Sequence, residues 1–175
     1  MSSVNKTYIG IDIGKKGSIA VIHKHGEIHT YPMPMIKTEL DYHGLSNLIS
    51  CLKVHNPHIV FEKLGVIFGT SKSTAFSMGE QSGCVEMSCI CQGISYTKVR
   101  AVDWQKAMFQ GVDEIAKTKT KDGKKAGRDT KAMALVAIKR LFPDLELTFG
   151  EKAKKPHDGL IDAVLMAEYA RRNNL

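Results

Sequence analysis

The chain has 175 residues, with 25 lysines and arginines against 18 aspartates and glutamates, a formal net charge of +7; that is about one domain's length, enough to bury its apolar surface around a single core. No apolar run approaches the roughly 18 residues that cross a bilayer, and the polar start Met1-Ser2-Ser3-Val4-Asn5-Lys6 lacks the apolar centre of a signal peptide, so a soluble, cytoplasmic protein is expected. The positive balance favours a polyanionic partner.

The first predicted elements lie in Tyr8-Ile9-Gly10-Ile11-Asp12-Ile13-Gly14-Lys15-Lys16-Gly17-Ser18-Ile19-Ala20-Val21-Ile22, an apolar strand, a turn and a second apolar strand. Asp12 stands between two isoleucines, where a carboxylate needs a proton, a cation or several donors. A turn aspartate bonded to nearby amides accounts for it; so does a metal or phosphate approaching the glycine-flanked backbone.

Gly26 offers a turn into a third strand, Glu27 to Tyr31, which Pro32-Met33-Pro34 closes by forbidding regular pairing. His23, His25 and His29 fall on a polar strand face and are expected to be exposed. From Asp41, Leu45, Leu48, Ile49 and Leu52 recur at helical spacing until Asn56-Pro57. His58-Ile59-Val60-Phe61-Glu62 is then a short buried strand that again ends on an acid, and carboxylates at the C-terminal ends of central strands are where an α/β protein places its ligands.

After a glycine-containing loop, Lys63 to Thr70, a long helix is predicted over Ser71 to Gln92. Gly79 and Gly83 cost this helix about 1 kcal/mol each relative to alanine; sharing one face, they would let the sheet or a second subunit pack closely. Gly93 to Val99 gives another strand and Ala101 to Phe109 a short helix bearing Trp104, the single tryptophan. A basic, mobile loop is expected around residues 112–129, with Lys117, Lys119, Lys121, Lys124, Lys125 and Arg128, and Lys131 just beyond; a solvated surface linker is the plainer reading of such a run. Thr130 to Leu141 is amphipathic and ends before Pro143. Pro156 and Asp158 mark the start of the last helix, where Asp158 and Asp162 share a face and repel each other unless Asp158 is only an N-cap. Cys51, Cys84, Cys89 and Cys91 lack zinc-ligand spacing and are expected to be reduced, small core residues.

Asp12, Glu62, Asp158 and Asp162 thus stand where an acid is locally disfavoured, in a chain otherwise basic. Oxygen ligands from strand ends and a helix suit hard cations such as Mg2+ or Mn2+. Two such ions about 4 Å apart would activate a water and stabilise the leaving oxygen of a phosphodiester, which is nuclease chemistry.

Gly10-Ile11-Asp12-Ile13-Gly14, Val60-Phe61-Glu62-Lys63, the helix Ser73-Thr74-Ala75-Phe76-Ser77-Met78-Gly79 to Gly83, Trp104-Gln105-Lys106-Ala107, and His157-Asp158-Gly159 to Asp162-Ala163, in that order over nearly the whole chain, resemble the RuvC family of Holliday-junction resolvases within the ribonuclease H-like superfamily, and its phage-type members most. The resemblance implies a single domain over residues 1–175, with a mixed five-stranded sheet flanked by helices. It also implies a homodimer built partly on the long helix, and symmetric, metal-dependent incision of four-way DNA junctions, with a phage genome acting in a bacterial cytoplasm as the setting. Asp12 would bridge two ions, Glu62 would bind one and orient the attacking water, and Asp162 with Asp158 would complete the shell. The cellular bacterial form tends to space its last two ligands three residues apart, but here Gly159 holds that place, leaving Asp158 or His157 as the fourth ligand, with Asp158 favoured because hard cations prefer oxygen. Phe68 would act either as an aromatic wedge against junction bases or as a packing anchor. Lys15, Lys16, Lys72 and the basic loop would meet DNA phosphates.

Two other classes compete. The Asp12 stretch also resembles the first phosphate loop of actin-like ATPases, whose second lobe does not fit in this length. A binding module that holds branched DNA without cutting it is the other, but carboxylates clustered beside phosphate would only weaken such a protein.

Overall fold

The computed structural model describes residues 6–65, 71–117, 127–150 and 152–175. Strands β1 (Thr7–Asp12), β2 (Ser18–Ile22) and β3 (Ile28–Pro32) form an antiparallel meander. A separate hairpin of two-residue strands, β4 (Met35–Ile36) and β5 (Glu39–Leu40), leads into helix α1 (Tyr42–Leu52). Then come β6 (Pro57–Glu62), α2 (Lys72–Gln92), β7 (Ser95–Val99), α3 (Ala101–Met108), α4 (Thr130–Leu141) and α5 (Asp158–Arg172). The central sheet has the order β3-β2-β1-β6-β7, with β6 parallel to β1 and β7 parallel to β6. The expected mixed, five-stranded sheet is therefore present, and among the described residues no helix is long and apolar enough to cross a membrane.

Alternation along the strands divides the core into two layers. Ile9, Ile11, Ile19, Val21, Ile59 and Phe61 project to one side, against Leu45 and Ile49 of α1 and Val85 of α2. Tyr8, Ala20, Ile22 and Val60 project to the other, against Trp104, Ile138 and the inner face of α5. β1, β2 and β6 are apolar at almost every position because both faces are covered.

Local signals set the helix ends. The Asp41 carboxylate accepts from the Gly44 amide at 2.8 Å and the Ser71 hydroxyl from the Thr74 amide at 3.1 Å, while Gly93 ends α2 in the left-handed conformation. Thr130–Leu141 is helical as predicted. Three expectations need correction. Pro32 does not stand outside the ladder: it closes β3 opposite Ser18, at the sheet edge where its missing N–H costs nothing. Only Cys89 is a fully buried cysteine, its thiol pushed up to about 12 by burial; Cys84 is half-buried, and Cys51 and Cys91 are exposed. The histidines are not all simply exposed, because His23 is half-buried and meets His29 and His55 edge-on, at ring-centre distances of 5.3 and 4.9 Å.

The closest packing in the fold is between β1 and α5. A Cβ placed on Gly10 would lie 1.9 Å from the Ala163 carbonyl oxygen and 2.7 Å from the Ala167 amide nitrogen, so the helix backbone rests directly on the strand. Neither backbone can yield without breaking sheet or helix. Gly10→Ala is expected to lower the stability to chemical denaturation by at least ~2 kcal/mol, beyond the effect of a methyl group at an exposed glycine such as Gly79, which nothing approaches.

Candidate active site

β1 and β6 are adjacent and parallel, with Ile11 opposite Phe61, so Asp12 and Glu62, one residue further on, leave the sheet side by side at its C-terminal edge. α5 crosses the same edge. Its first turn carries Asp158 and its second Asp162, which the contact at Gly10 draws down onto β1. The turn after β1 closes with the Gly17 amide donating to the Gly14 carbonyl at 2.9 Å and lies against the start of α5. A Cβ at Gly159 would be 2.4 Å from the Lys16 carbonyl oxygen and 2.6 Å from Asp12 Oδ2. No side chain fits at 159, so a carboxylate there is excluded, and the acids of α5 are spaced four apart.

His157, not Asp158, caps α5: its Nδ1 accepts from the Leu160 amide at 3.1 Å, and its ring stands edge-on to Phe149, 5.0 Å away. An Nδ1 that accepts leaves the proton on Nε2, so in this arrangement the imidazole is a donor and not a ligand. Asp158 is the first helical residue, and the repulsion from Asp162 is not excused by a capping role. The Glu62 carboxylate accepts from Trp104 Nε1 at 2.9 Å. Asp158 accepts from Lys131 Nζ at 2.5 Å, an exposed pair.

These groups shape one open cleft of about 440 Å3, lined by Asp12, Asp158 and Asp162, by the turn from Ile13 to Gly17, and by Lys16, Lys131 and Lys155. Burial, then the charges of Asp162, Glu62 and Asp158, push the Asp12 carboxyl up to about 8, with Lys131 opposing; burial, Glu62 and Asp158 push Asp162 up to about 7. Glu168 shows the contrast on the same helix. Burial pushes it up too, but hydrogen bonds from Arg171 and Arg172 outweigh this and hold it below the usual carboxylate range. Among the described residues no hydrogen-bonded cation does the same for Asp12 or Asp162, which only Lys131 opposes. The donor set is all carboxylate oxygen, which fits a hard divalent cation, but the side chains are not gathered as a cage: among the described residues no three His, Cys, Asp or Glu stand ready to hold an ion. Two of the four acids are engaged elsewhere, Glu62 by Trp104 and Asp158 by Lys131.

Lys16 lines the cleft, while Lys15 is exposed and paired with Glu39 at 2.9 Å, and Lys72 is exposed at the start of α2. Lys117 and Arg128 flank the basic stretch, whose base is tied by an antiparallel bridge between Ala116 and Arg128. Phe68, Lys119, Lys121, Lys124 and Lys125 lie outside the described residues. Sequence reasoning missed Lys131 and Lys155 as cleft residues and Trp104 as the partner of Glu62. Periodicity alone could have placed Lys131 in the first turn of α4, but not beside α5.

Because folding raises the pKa of Asp12, the native state binds a proton that the unfolded state releases between pH 4 and 8. That contribution to stability is present at low pH and lost as pH rises through about 8. Asp12→Asn is therefore expected to stabilise the metal-free protein by ~1 kcal/mol or more at pH 8, with the gain disappearing near pH 4. Denaturation of both proteins across that range, with excess Mg2+ as a comparison, reads this directly.

No protein-family model and no curated protein sequence matches the chain. Solved structures do. A Thermus thermophilus RuvC structure is 15% identical with a TM-score of 0.56, and T. thermophilus RuvC in complex with a Holliday junction substrate is 13% identical with a TM-score of 0.53; each match covers 96% of both chains. The chain thus has the ribonuclease H-like α/β fold of RuvC, in a match that covers 96% of its length.

Proposed function

We propose that this protein is a structure-selective endodeoxyribonuclease that resolves four-way DNA junctions by paired, metal-dependent hydrolysis of phosphodiesters. The observation that carries the reading is the convergence of Asp12, Asp158 and Asp162 in a lysine-bordered cleft at one edge of the sheet, with Glu62, which does not line the cleft, near enough to raise the pKa of Asp12 and Asp162. The fold supports it, since a RuvC of the same architecture is known with a Holliday junction substrate.

On this reading the four carboxylates would hold two Mg2+ or Mn2+ ions, which would supply an activated water and charge for the leaving oxygen. Asp12, the acid raised furthest by burial and by its three neighbours, would be one of the ligands. Glu62 is kept in place by the Trp104 indole, so that its free oxygen can orient the nucleophile. Asp158 is the fourth ligand, favoured by the blocked position at Gly159 and the capping role of His157. Lys131, which pairs with Asp158, would be available to a phosphate beside Lys16 and Lys155 if a bound cation took Asp158 as its ligand. The two cuts come from two subunits. Gly79, Gly83, Met87 and Ile90 fall on one face of α2, nothing approaches a Cβ at either glycine, and Met87 and Ile90 are exposed; the sheet is not their partner, and this face is the proposed dimer contact.

With Mg2+ or Mn2+, the wild type is expected to nick a mobile four-way junction in pairs near the crossover and to leave linear duplex intact. Asp12→Asn and Glu62→Gln should each lower cleavage by roughly 100-fold or more, with junction binding retained in gel shifts. Equal cutting of both substrates would indicate a general nuclease, and binding without cutting a binding module. The residues around 112–129, including Lys117 and Arg128, are the proposed phosphate-tracking segment, and Phe68 the proposed wedge. Changing Lys119, Lys121, Lys124 and Lys125 together to Gln should flatten the slope of log affinity against log salt by about 3.

A further inference from the structure

Three histidines meet at the other end of β1 from Asp12, about 17 Å away at roughly 3.4 Å per residue. Val21 of β2 stands opposite His29 of β3, so His23, two residues beyond Val21, shares a face of the sheet with His29. The third, His55, ends the single 3-10 turn Lys53–His55 that follows α1. The His23 ring centre lies 5.3 Å from that of His29 and 4.9 Å from that of His55. His23 is half-buried, with its Nδ1 3.4 Å from the Thr7 hydroxyl, while His29 and His55 are exposed. His29 Nε2 donates to the Glu27 carboxylate at 3.0 Å. Over the group opens a cavity of about 400 Å3, with His23, His25, His55, Thr7 and Lys24 in its walls.

We propose that His23, His29 and His55 form a binding site for a late first-row divalent ion, Zn2+ by its fit to nitrogen donors, with Glu27 orienting His29. Two imidazoles on one tetrahedral ion, with Zn–N about 2.1 Å, have ring centres roughly 5 Å apart, which is the spacing found on both sides of His23. Imidazole suits zinc, nickel and copper, whereas the carboxylates at Asp12 suit magnesium and manganese, so the two ends of the strand select different ions. A ligating histidine characteristically donates its other N–H to a carboxylate, and Glu27 receives such a bond from His29. Ligation also needs neutral rings: burial, then His55 and His29, hold His23 below the usual histidine range, with Glu27 opposing. Lys24, on the cavity wall, opposes a cation. The rings stand edge-on, and among the described residues no three such groups are aimed at one point; loading turns them between rotamers, which the two exposed side chains are open to do. The bound ion would tie the β2–β3 hairpin to the end of α1.

The test is equilibrium dialysis of the untagged chain against Zn2+ and Co2+, with millimolar Mg2+ present to occupy the carboxylates. One Zn2+ per chain is expected, with micromolar affinity or tighter. Loss of an outer partner costs about 10- to 100-fold in metal affinity, so Glu27→Gln should weaken binding by roughly tenfold and His23→Ala or His55→Ala by about 100-fold or more. Asp12→Asn should leave it unchanged. Zn2+ should raise the midpoint of thermal unfolding of the wild type but not of His55→Ala, whose lost ring is exposed and carries no core contact. Binding that survives His23→Ala and His55→Ala but falls with Asp12→Asn overturns the site by placing the ion at the carboxylates. A sulfur-to-cobalt charge-transfer band overturns it in favour of the cysteines, and absence of micromolar Zn2+ binding overturns it outright. The proposal is independent of the nuclease reading, which cleavage of junctions tests separately.

Discussion

The site depends on one contact, the backbone of α5 resting on the backbone of β1 at Gly10. There is no side chain between them, and a Cβ would fall within 2 Å of the Ala163 carbonyl. This closeness brings Asp162, on the helix, to Asp12, on the strand, although 150 residues of sequence separate the two. At the next turn of the helix the same requirement is met by Gly159, which admits the Lys16 carbonyl and the Asp12 carboxylate. The layers of the fold would tolerate a wider separation. The carboxylate cluster would not.

Assembling those acids has an energetic consequence. Elsewhere in this protein a buried acid is neutralised, as Glu168 is by Arg171 and Arg172. At the cleft the neutralising cation is shared, because Lys131 pairs with Asp158 and acts only at a distance on Asp12 and Asp162. Both therefore hold their protons far above the usual carboxylate range. Carboxylates kept apart from their own cations destabilise the folded chain at neutral and higher pH. It also explains why the acids are not drawn into a tight cage: without added positive charge, proximity is what they avoid.

The surroundings divide the cleft edge into distinct chemistries. On the α4 and α5 side stand Lys131 and Lys155; on the α2 side stand Gln81, Glu80 and Phe76, and Ile13 and Gly14 of the turn after β1 border both. Further along, α2 leaves the stripe of Gly79, Gly83, Met87 and Ile90 uncovered among the described residues.

Much of this was legible in the chain itself. Apolar runs broken at acids marked β1 and β6, caps and prolines marked the helices, and an acid placed where isoleucine or leucine belongs singled out Asp12 and Asp162, which the fold brings to one cleft. These are local signals, carried by spacing and by the cost of a misplaced charge, and they survive without knowledge of neighbours. Where Lys131 points, that Trp104 holds Glu62 and that Gly159 is blocked are facts about distance between segments far apart in sequence. Periodicity states which face of an element is apolar, but not which element covers it. Only the packing of α5 on β1, and of the turn after β1 between α5 and α2, decided them.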